Sequence, residues 1–263
     1  VDHRSRARRA GSLLRLRLQL DQRLAVRVDL QPEAREHRGA IGIAGVERAL
    51  AAKCDEVTFA IVATETFNRR NQGVSVAETL AAWAGVAAKA RKAGIKTTAI
   101  IGAAFGCPFE GEVRVERPIE LMREILKSDP DEIGFADTIG CGVPTQVTAL
   151  MTRARALSAS VKLRCHFHDT RRTGIANVAA ALAAGVDALD SSIGGVGGCP
   201  FAPAATGNVA TEDVVYLLSR MGIETGVDLH RIVAAATWLS GVIGKDVPGA
   251  VTKAGVFPPA LAA

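Results

Sequence analysis

The stretch HFHDTRRTG, residues 166–174, sets two histidines two positions apart with an aspartate directly behind them. On a strand, positions i and i+2 share a face, so His166 and His168 present both rings to one side. Neutral imidazoles are good metal ligands. Two nitrogens do not hold a hard cation by themselves, so oxygen ligands have to come from elsewhere in the chain. A pair of histidines bonded to loop carbonyls is the other reading, and spacing alone leaves both open. Asp169 falls on the opposite face and is expected to orient a loop.

A second stretch, SSIGGVGGCPFAPAATGN at 191–208, has Gly194, Gly195, Gly197 and Gly198 just ahead of Cys199. Such a loop is either mobile or closely approached by other atoms. A cysteine on it is a candidate acid, base or nucleophile; alternatively it is a small apolar turn residue. Asn208 can offer an amide oxygen to a metal, or can serve as a cap or turn residue. The glycines are of the kind that cradle phosphate, but no P-loop Lys-Ser/Thr follows them. In FADTIGCG, residues 135–142, Asp137 ends an apolar run. It is a candidate base or substrate anchor, or else a capping or loop-bracing carboxylate. Cys107 in GCPFEG has no base near it in sequence and reads as a turn residue.

The elements that must position these groups alternate regularly from residue 41 onward. Strands are expected at Val57–Ala63, Thr97–Gly102, Glu132–Ala136, Val161–Phe167 and Val186–Ser191. Between them, helices are expected after the capping box Ser75-x-x-Glu78, from about Pro118, and over Pro144–Leu157 and Thr173–Ala184. Two more follow, near Thr211–Arg220 and from about Asp228 to Val242. Leu80, Trp83, Ala87 and Ala90 mark one buried stripe, and Ile119, Met122, Ile125 and Leu126 another. Strands alternating with helices argue for a parallel α/β sheet. Eight units close a (β/α)8 barrel, and five or six make an open doubly wound sheet. Both place active sites at the C-terminal ends of the strands, where these polar and glycine-rich stretches lie.

Residues 1–40 stand apart as an irregular Arg-rich segment, and 41–263 read as one domain. The segment holds ten of the 32 Lys/Arg and five of the 27 Asp/Glu, which leaves 22 of each sign in the body. A nucleic-acid footprint needs basic groups spread over a folded face, so nucleic-acid binding is not expected. Of three readings for this segment, a transit peptide, a solvated basic tail or translation out of frame from GC-rich DNA, we favour the third. Val26–Leu30 is its one candidate strand. The 263 residues are 48% hydrophobic, enough for a sizeable core, with no apolar run of membrane-spanning length. The five cysteines are odd in number and show no Cys-x-x-Cys spacing. A disulfide framework is not expected, and a cytoplasmic location is.

Taken together, HFHDT, DSSIGGVGGCPFAPAATGN and ATEDVVYLL, with FADTIG and GCPFEG in the same order, resemble the 3-hydroxy-3-methylglutaryl-CoA lyase family from about residue 41 to 243. Related condensing barrels such as 2-isopropylmalate synthase share the His-x-His strand but carry Gly-Glu-Arg-Ala-Gly-Asn before the asparagine. The resemblance implies a (β/α)8 TIM barrel and a divalent cation, Mg2+ or Mn2+, bound by His166, His168 and Asn208. It implies that Cys199 handles a proton on a loop of Gly195, Gly197 and Gly198 that closes over an acyl-CoA substrate. Asp137 matches an active-site aspartate and Glu212 a glutamate near the metal. A homodimer is also implied.

The family's first strand carries Arg-Asp-Gly, with the aspartate a metal ligand and the arginine a catalytic cation. No such triplet occurs here, and RVDL at 27–30 holds Arg27 and Asp29 in the wrong pattern. A second-strand glutamate is missing too. The barrel is therefore expected to be incomplete at its N-terminal side, and the chain as written to turn over weakly or not at all.

Overall fold

The computed structural model describes residues 15–17, 25–28, 43–52, 54–199 and 202–257, with side chains at 46–49, 51–52, 54–198 and 207–257. Two short strands come first, β1 (Arg15–Arg17) and β2 (Ala25–Val28), then α1 (Ile43–Ala51), β3 (Glu56–Val62), α2 (Glu65–Gln72), α3 (Val76–Lys92) and β4 (Lys96–Gly102). A small hairpin of β5 (Gly106–Cys107) and β6 (Gly111–Glu112) precedes α4 (Glu116–Leu126), β7 (Glu132–Asp137), α5 (Pro144–Leu157), β8 (Lys162–Phe167), α6 (Gly174–Ala183) and β9 (Ala188–Ser191). A second hairpin, β10 (Gly198–Cys199) and β11 (Ala202–Thr206), leads into α7 (Thr211–Arg220), α8 (Leu229–Ile243) and α9 (Ala250–Ala254).

The main sheet runs β1-β2-β9-β8-β7-β4-β3, parallel throughout except for the β1–β2 pair. From β3 to β9 each strand lies beside the next one along the chain, with a helix crossing between. A doubly wound sheet reverses its order at a switch point; this one never does. The open doubly wound alternative therefore falls, and the arc is of barrel type. One expectation needs correcting: residues 1–40 do not all stand apart, because β2 pairs with β9 in parallel, Arg27 opposite Asp190. An N-terminal strand beside the last one is the adjacency that closing a barrel requires.

Strand alternation sorts β8 into two sets. Leu163, Cys165 and Phe167 are fully buried, and Cys165 Sγ lies 3.5 Å from Met151 Sδ on α5, so this set faces the helices. Arg164 and His166 point the other way, into the arc. The helix layer is fixed by contacts such as Trp83 of α3, whose Nε1 donates to the Ile125 carbonyl of α4 at 3.3 Å. The Ser75/Glu78 capping box forms as expected, with Glu78 N–H donating to Ser75 Oγ at 3.2 Å and Ser75 N–H donating to Glu78 Oε2 at 2.8 Å. Pro118 sits within the first turn of α4, where it removes no intrahelical bond.

Candidate active site

The site is assembled by a short segment, residues 207–211, that wedges between the ends of β8 and β9. On one side Val209 N–H donates to the Phe167 carbonyl at 3.1 Å and Asp169 N–H to the Gly207 carbonyl at 3.0 Å. That zip makes His168 and Asn208 an antiparallel bridge pair. On the other side Ser192 N–H donates to the Val209 carbonyl at 3.1 Å, and Thr211 N–H to the Ser192 carbonyl at 2.8 Å. His166, His168 and Asn208 are thus gathered at the C-terminal end of β8.

The two imidazoles stand edge to face, ring centroids 5.2 Å apart, so they share a face as their spacing requires. His168 is buried, and burial, then the neighbouring His166, depress its pKa to about 3. It is therefore neutral near pH 7, the form that donates a lone pair to a metal. Two buried polar atoms here have no hydrogen-bond partner among the described residues, His168 Nδ1 and Asn208 Oδ1. Buried polar atoms are almost always bonded, and a cation is what this neutral nitrogen and amide oxygen fit. The other end of the Asn208 amide is spent, since Nδ2 donates to the Val196 carbonyl at 3.0 Å. Among the described residues no cluster of three or more His, Cys, Asp or Glu side chains has the form of a metal site.

The glycine loop is closely approached by Asn208. A Cβ on Gly197, at φ +112°, would sit 2.7 Å from Asn208 Nδ2, and one on Gly195 3.0 Å from the Asn208 carbonyl oxygen. Gly198 and Cys199 form β10, paired with β11 through Gly198–Thr206 and Cys199–Ala202. The backbone of Cys199 is thus in a small flap whose base is Asn208; its side chain lies outside the described residues.

The remaining carboxylates act as braces. Glu212 is buried on α7, accepting from Gly194 N–H at 3.0 Å and from the Thr252 hydroxyl at 2.6 Å. Burial raises its pKa, against the lowering effect of those bonds. Asp137 accepts from Cys141 N–H and Gly142 N–H, both at 2.9 Å, so it braces the β7–α5 loop. Burial raises its pKa as well, and together with Asp137 it pushes the Cys141 thiol up to about 12. Asp169 does orient a loop, accepting from Gly174 N–H at 2.9 Å. Cys107, read as a turn residue, is instead the last residue of β5, paired with Gly111 across the hairpin turn, and its Sγ accepts from the Thr64 hydroxyl at 3.0 Å.

Sequence reasoning missed Arg164 and Asp190. Arg164 is buried on β8 against Glu132, 3.5 Å from Glu56 and 3.5 Å from Asp190, and Asp190 Oδ2 lies 3.5 Å from His166 Nδ1. The signal was there in RCHFH, where Arg164 shares the face of both histidines.

A singly wound α/β arc with its polar groups at the strand C-terminal ends is the framework of a barrel enzyme. The HMGL-like family profile matches residues 38–239, and the chain belongs to that family of lyase-type enzymes. It is 42% identical over 215 residues to (R)-citramalyl-CoA lyase of Chloroflexus aurantiacus, covering 81% of this chain and 68% of that one. It is 39% identical to hydroxymethylglutaryl-CoA lyase YngG of Bacillus subtilis, covering 78% and 68%. Among solved structures, an HMG-CoA lyase from Acinetobacter baumannii in complex with coenzyme A and 3-methylmalate superposes with a TM-score of 0.79 at 32% identity, covering 84% of this chain and 72% of that one.

Proposed function

We propose that this chain is a carbon–carbon lyase acting on a 3-hydroxyacyl-CoA, cleaving 3-hydroxy-3-methylglutaryl-CoA to acetyl-CoA and acetoacetate. The observation that carries the reading is the pair of buried atoms His168 Nδ1 and Asn208 Oδ1, which have no partner among the described residues. In this reading His166, His168 and Asn208 hold a Mg2+ or Mn2+ ion. When bound, that ion supplies Lewis acidity to the alcohol and carboxylate oxygens of a substrate, lowering the alcohol's pKa. The substrate is a tertiary alcohol, so a general base must take its hydroxyl proton before the oxygen's electron pair forms a carbonyl as the carbon–carbon bond breaks. One half leaves as acetoacetate, and the other leaves as the enolate of acetyl-CoA, which needs a proton on carbon. Cys199 is the proton donor we assign, on a flap that excludes water while the enolate exists. Glu212 serves that flap by holding Gly194 in place rather than by touching the substrate. We further assign the working form as a homodimer, to be checked by light scattering.

The 42% identity to a citramalyl-CoA lyase favours a second reading, with (R)-citramalyl-CoA as substrate and pyruvate as the carbonyl product. The two esters share the tertiary alcohol, carboxylate and thioester, so the same donors serve both. Incubating the purified chain with each ester and Mn2+ decides between them. Acetoacetate supports the first reading and pyruvate the second. Binding of either ester with no product makes the chain a non-catalytic homologue.

A further inference from the structure

We propose that Asp190 is a positioning residue that fixes the ring orientation and tautomer of His166, and that Arg164 holds Asp190 for that purpose. The inference rests on His166 being a metal ligand.

The β8–β9 ladder puts His166 directly opposite Asp190, so both side chains leave the sheet on the same face. Asp190 Oδ2 lies 3.5 Å from His166 Nδ1, and its other oxygen lies 3.5 Å from Arg164 Nη1. Both are electrostatic contact distances, longer than a hydrogen bond. Arg164, two residues before His166 on the same face, is 3% exposed and meets acids from β3 and β7 through its other terminal nitrogen. A chain of charge thus runs inside the arc across four strands and ends on one imidazole nitrogen.

Stability alone is a poor reason for such a chain. Burying a guanidinium with carboxylates costs desolvation that their attraction roughly offsets, and apolar replacements often do as well. Aiming a carboxylate at one ring nitrogen has a specific effect. It keeps the proton on Nδ1, leaves the lone pair on Nε2, and stops the ring from turning. Among the described residues His168 has no such partner on Nδ1. The two histidines therefore present different nitrogens, which sets the direction of approach to a shared ion.

The test uses the full chain labelled with 15N-histidine, in which long-range proton–nitrogen spectra report the tautomer of each ring, with His166→Ala supplying the assignment. His166 is expected as the Nδ1–H tautomer in the metal-free wild-type protein; an Nε2–H tautomer overturns the proposal without any change to the core. In parallel, Mn2+ is titrated by electron paramagnetic resonance into wild type, Asp190→Asn and Asp190→Ala. Affinity is expected to fall about 10- to 100-fold in Asp190→Ala, and less in Asp190→Asn, which keeps an acceptor for the ring N–H. Affinities within twofold of wild type in both variants overturn this inference alone. A wild-type chain that binds no Mn2+ overturns the metal reading of the site and this inference with it.

Discussion

His168 and Asn208 are each defined by an atom that has no hydrogen-bond partner among the described residues. Replacing Asn208 by Ala removes that oxygen and also frees the Val196 carbonyl that its nitrogen holds. Turnover is expected to fall at least about 10²-fold, as when one preorganised polar group is lost from a reacting centre, with the fold intact by circular dichroism. Near-normal kcat/KM in Asn208→Ala would remove Asn208 from the site. Glu212 gives a pH prediction whose sign follows from burial. Its folded pKa is raised, so its contribution to stability is full below the usual carboxylate range and is lost as pH rises through the raised value. Glu212→Gln keeps an acceptor for Gly194 N–H and does not ionise. Urea melts from pH 4 to 8 should show wild type losing ground to Glu212→Gln as pH rises, then levelling; a pH-independent difference refutes this.

At the scale of elements, the chain was most legible where periodicity and capping agree. The helix Pro144–Leu157 and the capping box at Ser75 appear as read, because a cap and an apolar stripe are local properties. Ser75→Ala is expected to cost about 1 kcal/mol, lowering Tm by roughly 2–4 °C and leaving turnover unchanged. Helix α2, by contrast, carries no apolar stripe to read. Its Asn68 is buried, accepting from Val62 N–H at 3.0 Å and donating to the Val74 carbonyl at 2.9 Å and to Thr79 Oγ1 at 2.7 Å. A polar helix fixed by one satisfied amide looks like a loop in sequence. Asn68→Ala takes that partner from Val62 N–H and the Val74 carbonyl, while Thr79 keeps its bond to the Ser75 carbonyl, and a loss of about 2–4 kcal/mol in urea unfolding is expected. A loss under 1 kcal/mol would mean that water replaces the amide. In the glycine loop, closeness rather than mobility is the property the structure displays. Gly197→Ala is expected to displace Asn208 Nδ2 and reduce Mn2+ affinity.

At the scale of the whole molecule, the sheet carries a barrel's strand order from β3 to β9, with β2 beside β9. No helix among the described residues is long and apolar enough to cross a membrane. The missing Arg-Asp-Gly triplet bears on the whole active site, since three donors underfill the coordination sphere of a hard cation. Under saturating Mn2+, kcat/KM toward either ester is expected at least about 10²-fold below that of the Bacillus subtilis relative measured in parallel. Equal turnover would mean that other residues supply the ligand and the cation.

From residue types and spacing alone, the chain determined that His166 and His168 share a face at a strand's end, and that strands alternate with helices. Both follow from the strand repeat of two and the apolar periods, which neighbours along the chain set by themselves. The motif order was enough to point to the lyase family. Only the tertiary structure decided that Asn208 bridges His168, that Asp137 spends its oxygens on loop N–H groups while Glu212 divides its own between Gly194 N–H and the Thr252 hydroxyl, and that Arg164 and Asp190 stand behind His166. Those pairings depend on which strand lies beside which and in what register. Strand adjacency is settled by backbone ladders between distant segments, and no local pattern of side chains encodes it.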